Sequence, residues 1–92
     1  MDDILSALNA MEAENFTMGH AWETAHDVAQ AGEGKPVYDR LHALCHRIEG
    51  DMGNAGYWYR HAGVNVFSGS FAEEKQALEA ELNNMGTDKK QS

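Results

Sequence analysis

The chain has 92 residues, of which 15 are Asp or Glu and 7 are Lys or Arg, so its formal net charge is −8; 42% of the residues are hydrophobic and one is cysteine. A chain this long buries roughly 60% of its unfolded surface or slightly more, which supports one modest core and argues against a multi-part enzyme. The acidic excess repels phosphate backbones and anionic bilayers alike, so neither nucleic acid nor a membrane is an expected partner.

The lone Cys45 cannot close an intramolecular disulfide, and no apolar run approaches the length of a membrane span. There is no basic start followed by an apolar stretch, so the expectation is a soluble, cytoplasmic protein. Gly and Pro divide the sequence into helical windows, none of which alternates with the period of two that a half-buried strand requires. The fold class expected is all-α, with about five helices forming antiparallel hairpins: a single domain over residues 1–86 and a solvated, flexible tail over 87–92.

The first window runs from about Asp3 to Ala13, capped by Asp2 or Asp3, with Ile4, Leu5, Leu8 and Met11 on one face. The second starts near Thr17 and ends near Ala31, where Gly32 and Gly34 supply left-handed backbone; Trp22, Ala25, Val28 and Ala29 face inward. Pro36 suits the first turn of a third helix, in which Leu41, Leu44, Cys45 and Ile48 give the clearest amphipathic spacing before Gly50 ends it. A fourth helix spans Asn54 to Ala62, and residues 63–69 form a loop anchored by Val64, Val66 and Phe67. Ser70 and Glu73 form a capping box for a fifth helix, with Phe71, Leu78, Leu82 and Met85 inward, Glu73, Glu74, Glu79 and Glu81 on a solvated outer face, and Gly86 as its stop.

The segment from Gly50 to Ala62 reads G-D-x-x-x-A-x-x-W-Y-x-x-A, with Ala55 and Ala62 small where helices approach closely and Trp58 or Tyr59 filling the space between them. This pattern resembles the turn and second helix of a tetratricopeptide-like repeat of the SEL type, over about residues 36–63. Trp22-Glu23-Thr24-Ala25 is a weaker echo, 30 residues upstream in the Ala25 to Ala55 offset. The wider pattern, W-E-x-A-H followed by E-G-D and N-A-x-Y-W-Y-R, is similar to small bacterial proteins of no assigned activity. The resemblance implies hairpins packed in a tetratricopeptide-like manner and no chemistry.

Five histidines invite a chemical reading. Asp39, His42, His46 and Glu49 recur at spacings of three, four and three and so share one side of the third helix, while Glu23 and His26 share a face of the second. Glu23-x-x-His26 facing Asp39-x-x-His42 is the arrangement by which helical bundles hold paired metal ions, and His42 with His46 also suits a single zinc. No Glu lies inside His42-x-x-x-His46 to serve as a metallopeptidase base, and no nucleophile turn is present. Cys45 beside two histidines raises the idea of an activated thiolate, against which its apolar position predicts a buried, inert thiol.

The leading expectation is therefore a protein–protein interaction module without catalytic residues. Its groove lies between the second and third helices, rimmed by His26, His42, His46 and Glu49, with Tyr57 and Arg60 as secondary contacts. The partner is another protein, with self-association into a homo-oligomer also open. The alternative is a metal-binding protein or metal-assisted enzyme that takes a divalent ion such as zinc, iron or manganese on Glu23, His26, Asp39, His42, His46 and Glu49.

Overall fold

Asp2 and Asp3 place negative charge at the N-terminus of α1 (Asp2–Ala13), where it complements the helix dipole, and Asp3 Oδ1 accepts the Ile4 N–H at 2.9 Å. This is a computed structural model that describes the backbone of residues 2–91 and the side chains of residues 2–84. Four further helices follow: α2 (His20–Ala31), α3 (Pro36–Glu49), α4 (Met52–His61) and α5 (Phe71–Gln91). Among the described residues there is no strand, and no helix is long and apolar enough to cross a membrane. The all-α expectation holds, with five helices.

Helix α2 begins three residues later than the sequence predicts, because residues 14–19 turn the chain after α1. Asn15 and Phe16 take left-handed conformations (φ 58 and 54), tied by Asn15 N–H to Glu12 O at 2.9 Å and Phe16 N–H to Met11 O at 2.8 Å. Such backbone costs a non-glycine residue of order 1 kcal/mol. Here it brings the Phe16 ring to 6.1 Å from that of Phe71. At the far end of α2 the left-handed glycine is Gly34 (φ 98) and not Gly32 (φ −103). Gly32 is required for space instead, since a Cβ there would lie 2.2 Å from Cγ of Tyr38.

The principal core gathers Ile4, Leu8 and Met11 of α1, Ala21, Ala25 and Ala29 of α2, Val37, Leu41, Leu44 and Cys45 of α3, and Leu78 of α5. The alanine stripe of α2 lets its backbone approach its neighbours, and Trp22 and Val28 pack at its margin. A second, smaller core of Ala43, Ala55 and Tyr59, flanked by Trp58 and Phe67, joins α3 to α4. Only Gly50 and Asp51 separate these two helices. Gly50 adopts φ 87, and Asp51 caps α4 by accepting the Asn54 N–H, which moves the start of α4 forward from the expected Asn54 to Met52.

The capping box of α5 forms in full: Ser70 N–H donates to Glu73 Oε1 at 2.8 Å and Glu73 N–H to Ser70 Oγ at 3.1 Å. Its acidic outer face requires correction. Glu74 is fully buried, receiving the Arg47 guanidinium at 2.5 Å and the Tyr59 hydroxyl at 2.6 Å, because α3 supplies the cation that lets a carboxylate leave water. Glu79 pairs with Lys75 and Glu81 with Arg40, so this face is largely neutralised. Nor does Gly86 stop the helix, which continues to Gln91. Glycine inside a helix costs only about 1 kcal/mol and ends one only where the chain turns left-handed. The inward placement of Met85 lies outside the described side chains, and Ser92 of the expected tail outside the described residues.

Candidate metal centre

His26 lies on α2, one turn beyond Trp22, while His42 and His46 lie one turn apart on α3. Packing of α2 on α3 through small residues brings the three imidazoles together. His26 Nε2 and His42 Nε2 are 3.1 Å apart, and one ligating nitrogen from each of the three rings falls within 4.8 Å of the other two. His42 is buried, and His26 and His46 are half-buried at the mouth of the cluster.

Each ring is held by a neighbour. Trp22 stacks on His26 at 5.0 Å and is itself fixed by its indole N–H, which donates to Cys45 O at 2.7 Å. Trp58 of α4 lies nearly parallel to His42 at 4.0 Å, and His46 also stacks on His42, at 5.0 Å with a 19° tilt. Glu49 Oε1 is 2.6 Å from His46 Nδ1. Tyr57 packs edge-on against Trp58, and His61 lies beside both.

Burial pushes His42 down to about 4 from an ordinary 6.5, helped by the repulsion of His26 and His46. Burial also lowers His26, with the charge of His46 adding to it and Asp27 and Glu49 opposing. Both rings are therefore neutral at pH 7, and at 3.1 Å one Nε2 donates a hydrogen bond to the other, a hydrogen that a bound cation would replace. His42 Nδ1 is buried without a hydrogen-bond partner.

The remaining candidates divide. Glu23 is exposed and stands outside the cluster. Asp39 is buried, but it accepts the Gly34 N–H at 3.1 Å and so fastens the turn between α2 and α3. The pairing of Glu23-x-x-His26 with Asp39-x-x-His42 is therefore replaced by a set of three imidazoles, because the short turn has the stronger claim on Asp39. Glu49 belongs to a second group, His46, Glu49 and Asp51, which shares His46 with the first. Tyr57 is exposed at 46% and Arg60 is exposed on the same helix, and neither belongs to the three-histidine set.

Asp51 and the two tryptophans were not among the sequence candidates. Asp51 reaches His46 because Gly50 turns the chain back on itself, and Trp58 reaches His42 because Ala43 and Ala55 allow α3 and α4 to touch. Cys45 is fully buried in the core and its thiol is pushed up to about 12 by burial, so it is neither a ligand nor an activated nucleophile. Comparison of the chain with protein-family models, curated proteins and solved structures finds no match.

Proposed function

We propose that the protein binds one divalent transition-metal ion through His26, His42 and His46. The observation that carries this reading is the spacing of the nitrogens. Two ligands on a tetrahedral zinc, with bonds of about 2.0–2.1 Å, sit about 3.3 Å apart, and His26 Nε2 and His42 Nε2 are already 3.1 Å apart. The third nitrogen lies within 4.8 Å of both and would close to about 3.3 Å on binding. Imidazole ligands without a thiolate or a direct carboxylate favour zinc, copper or nickel over manganese, magnesium or calcium. Three protein ligands leave a fourth position for water or an incoming ligand, as in zinc sites that are not purely structural. The net charge of −8 favours approach of a cation.

The test is elemental analysis of protein purified without a histidine tag or chelator, together with melting curves before and after zinc. At a free zinc concentration a hundredfold above Kd, binding adds about 2.7 kcal/mol. For a domain of this size that raises Tm by at least about 10 °C. His42→Ala should abolish both the stoichiometric metal and the shift; a wild-type chain that melts identically with and without zinc, copper and nickel overturns the reading.

The interaction-module reading draws on a different observation. Met52 (53%) and Tyr57 (46%) are exposed on α4 and Val66 (51%) in the loop that follows it, and the α3–α4 hairpin is the part with the tetratricopeptide-like pattern. In this reading α4 is a docking face for a protein partner, with Tyr57 and Arg60 as contacts, and it is compatible with a metal on the neighbouring hairpin.

A further inference from the structure

The group formed by His46, Glu49 and Asp51 has the makings either of a second ion site or of a support for the first. The bonds made by Asp51 decide between them. Its Oδ1 accepts the Asn54 N–H at 3.2 Å and its Oδ2 accepts from Asn54 Nδ2 at 2.7 Å, so both oxygens are committed to the cap of α4. Turning Asp51 toward an ion would uncap that helix, at a cost of about 1 kcal/mol. Glu49 without Asp51 is too poor a donor set for a second ion.

Glu49 instead faces His46 Nδ1 at 2.6 Å. An ionised carboxylate only accepts hydrogen bonds, so this contact requires the hydrogen to sit on Nδ1. In its neutral form a ring with that hydrogen carries its lone pair on Nε2. Resting on the metal-binding reading above, we propose that Glu49 is a positioning residue, which holds His46 in the Nδ1–H tautomer and presents Nε2 to the ion bound by His26 and His42. Outer carboxylates of this kind fix the ring and raise its basicity. His26 and His42 are oriented differently, by stacking on Trp22 and Trp58. Among the described residues no tryptophan stacks on His46, whose ring partners are the other two histidines, so the Glu49 contact is the one that can fix its tautomer.

The experiment compares wild type, Glu49→Gln and Glu49→Ala by zinc titration against a competing chelator, by zinc stoichiometry and by the nitrogen chemical shifts of His46 in the metal-free protein. The side chain of Glu49 is a third exposed and packs into neither core, so metal-free melting should be unchanged and a folding defect is separated from the effect sought. We expect one zinc per chain, an Nδ1–H form of His46 that is lost in Glu49→Ala, and zinc binding weakened about 10- to 100-fold. Wild-type affinity in Glu49→Ala with the tautomer unchanged overturns the proposal. So do two zinc ions per chain falling to one in Glu49→Ala, which would make Glu49 a ligand. Failure of the wild type to take up zinc, copper or nickel overturns the metal reading itself, and is recognised because there is then no binding for the substitution to weaken.

Discussion

Arg47 is the cation on which the buried end of α5 depends, and its replacement by methionine is a direct test of how the helices are locked together. The guanidinium donates to Glu74 Oε1 at 2.5 Å and to Gly69 O at 2.6 Å, and it lies 5.0 Å from the Phe71 ring. Glu74 has no exposed surface, and its other partner is the Tyr59 hydroxyl. Arg47→Met keeps most of the apolar stem while leaving a carboxylate buried beside a single neutral donor. Breaking a buried pair in this way costs about 3–5 kcal/mol, against at most about 1 kcal/mol for an exposed pair. For a domain near 100 residues each kcal/mol moves Tm by about 4–8 °C, so a fall of at least about 12 °C is expected. Adding Glu74→Met should restore part of it, because no charge is then left in the core. The residual deficit, about 1–3 kcal/mol from the stranded Tyr59 hydroxyl, should shrink on further change to Tyr59→Phe. Urea denaturation and thermal melting of the single, double and triple variants supply the comparison. A single-variant loss below about 1 kcal/mol, or a double variant less stable than the single, would refute the argument.

Two further outcomes follow from the titratable groups. His42 is held at about 4 when folded against 6.5 when unfolded, so between these values the unfolded chain binds more protons. Metal-free stability from this group is therefore complete above pH 6.5 and is lost as pH falls toward 4. The difference in unfolding free energy between wild type and His42→Gln, from urea titrations at pH 7 to 4, should change across that window to the disadvantage of wild type at low pH; a constant difference would contradict it. Cys45, pushed up to about 12 by burial, should react with a thiol reagent on the order of a thousandfold more slowly in the native state than in urea, and equal rates would show that the site is open.

Local signals in the sequence are reliable where short-range chemistry decides. Ser70 and Glu73 cap each other three residues apart, Gly50 and Asp51 make their turn without help from distant residues, and Pro36 begins α3. The spacing of Leu41, Leu44 and Cys45 likewise identifies a face that is buried. These features determine an all-α chain and most of its helix limits. The sequence also shows that His42 and His46 share a side of one helix, because a separation of four residues is nearly one turn.

What sequence spacing cannot contain is the choice of neighbour across the gap between helices. Glu23 and His26 share a helical face by spacing, as do Asp39 and His42, but only the packing of α2 on α3 selects His26 and His42 and leaves Glu23 in solvent and Asp39 on the Gly34 amide. Glu74 reads as part of a polar outer face until Arg47 and Tyr59 arrive from α3 and α4 and allow it to be buried. Trp58 meets His42 only because Ala43 and Ala55 bring two backbones close. Helix periodicity is a property of a few consecutive residues and is written in them. Burial of a charge and convergence of three imidazoles depend on residues 15 to 27 positions apart along the chain, and those contacts exist only once the helices have packed.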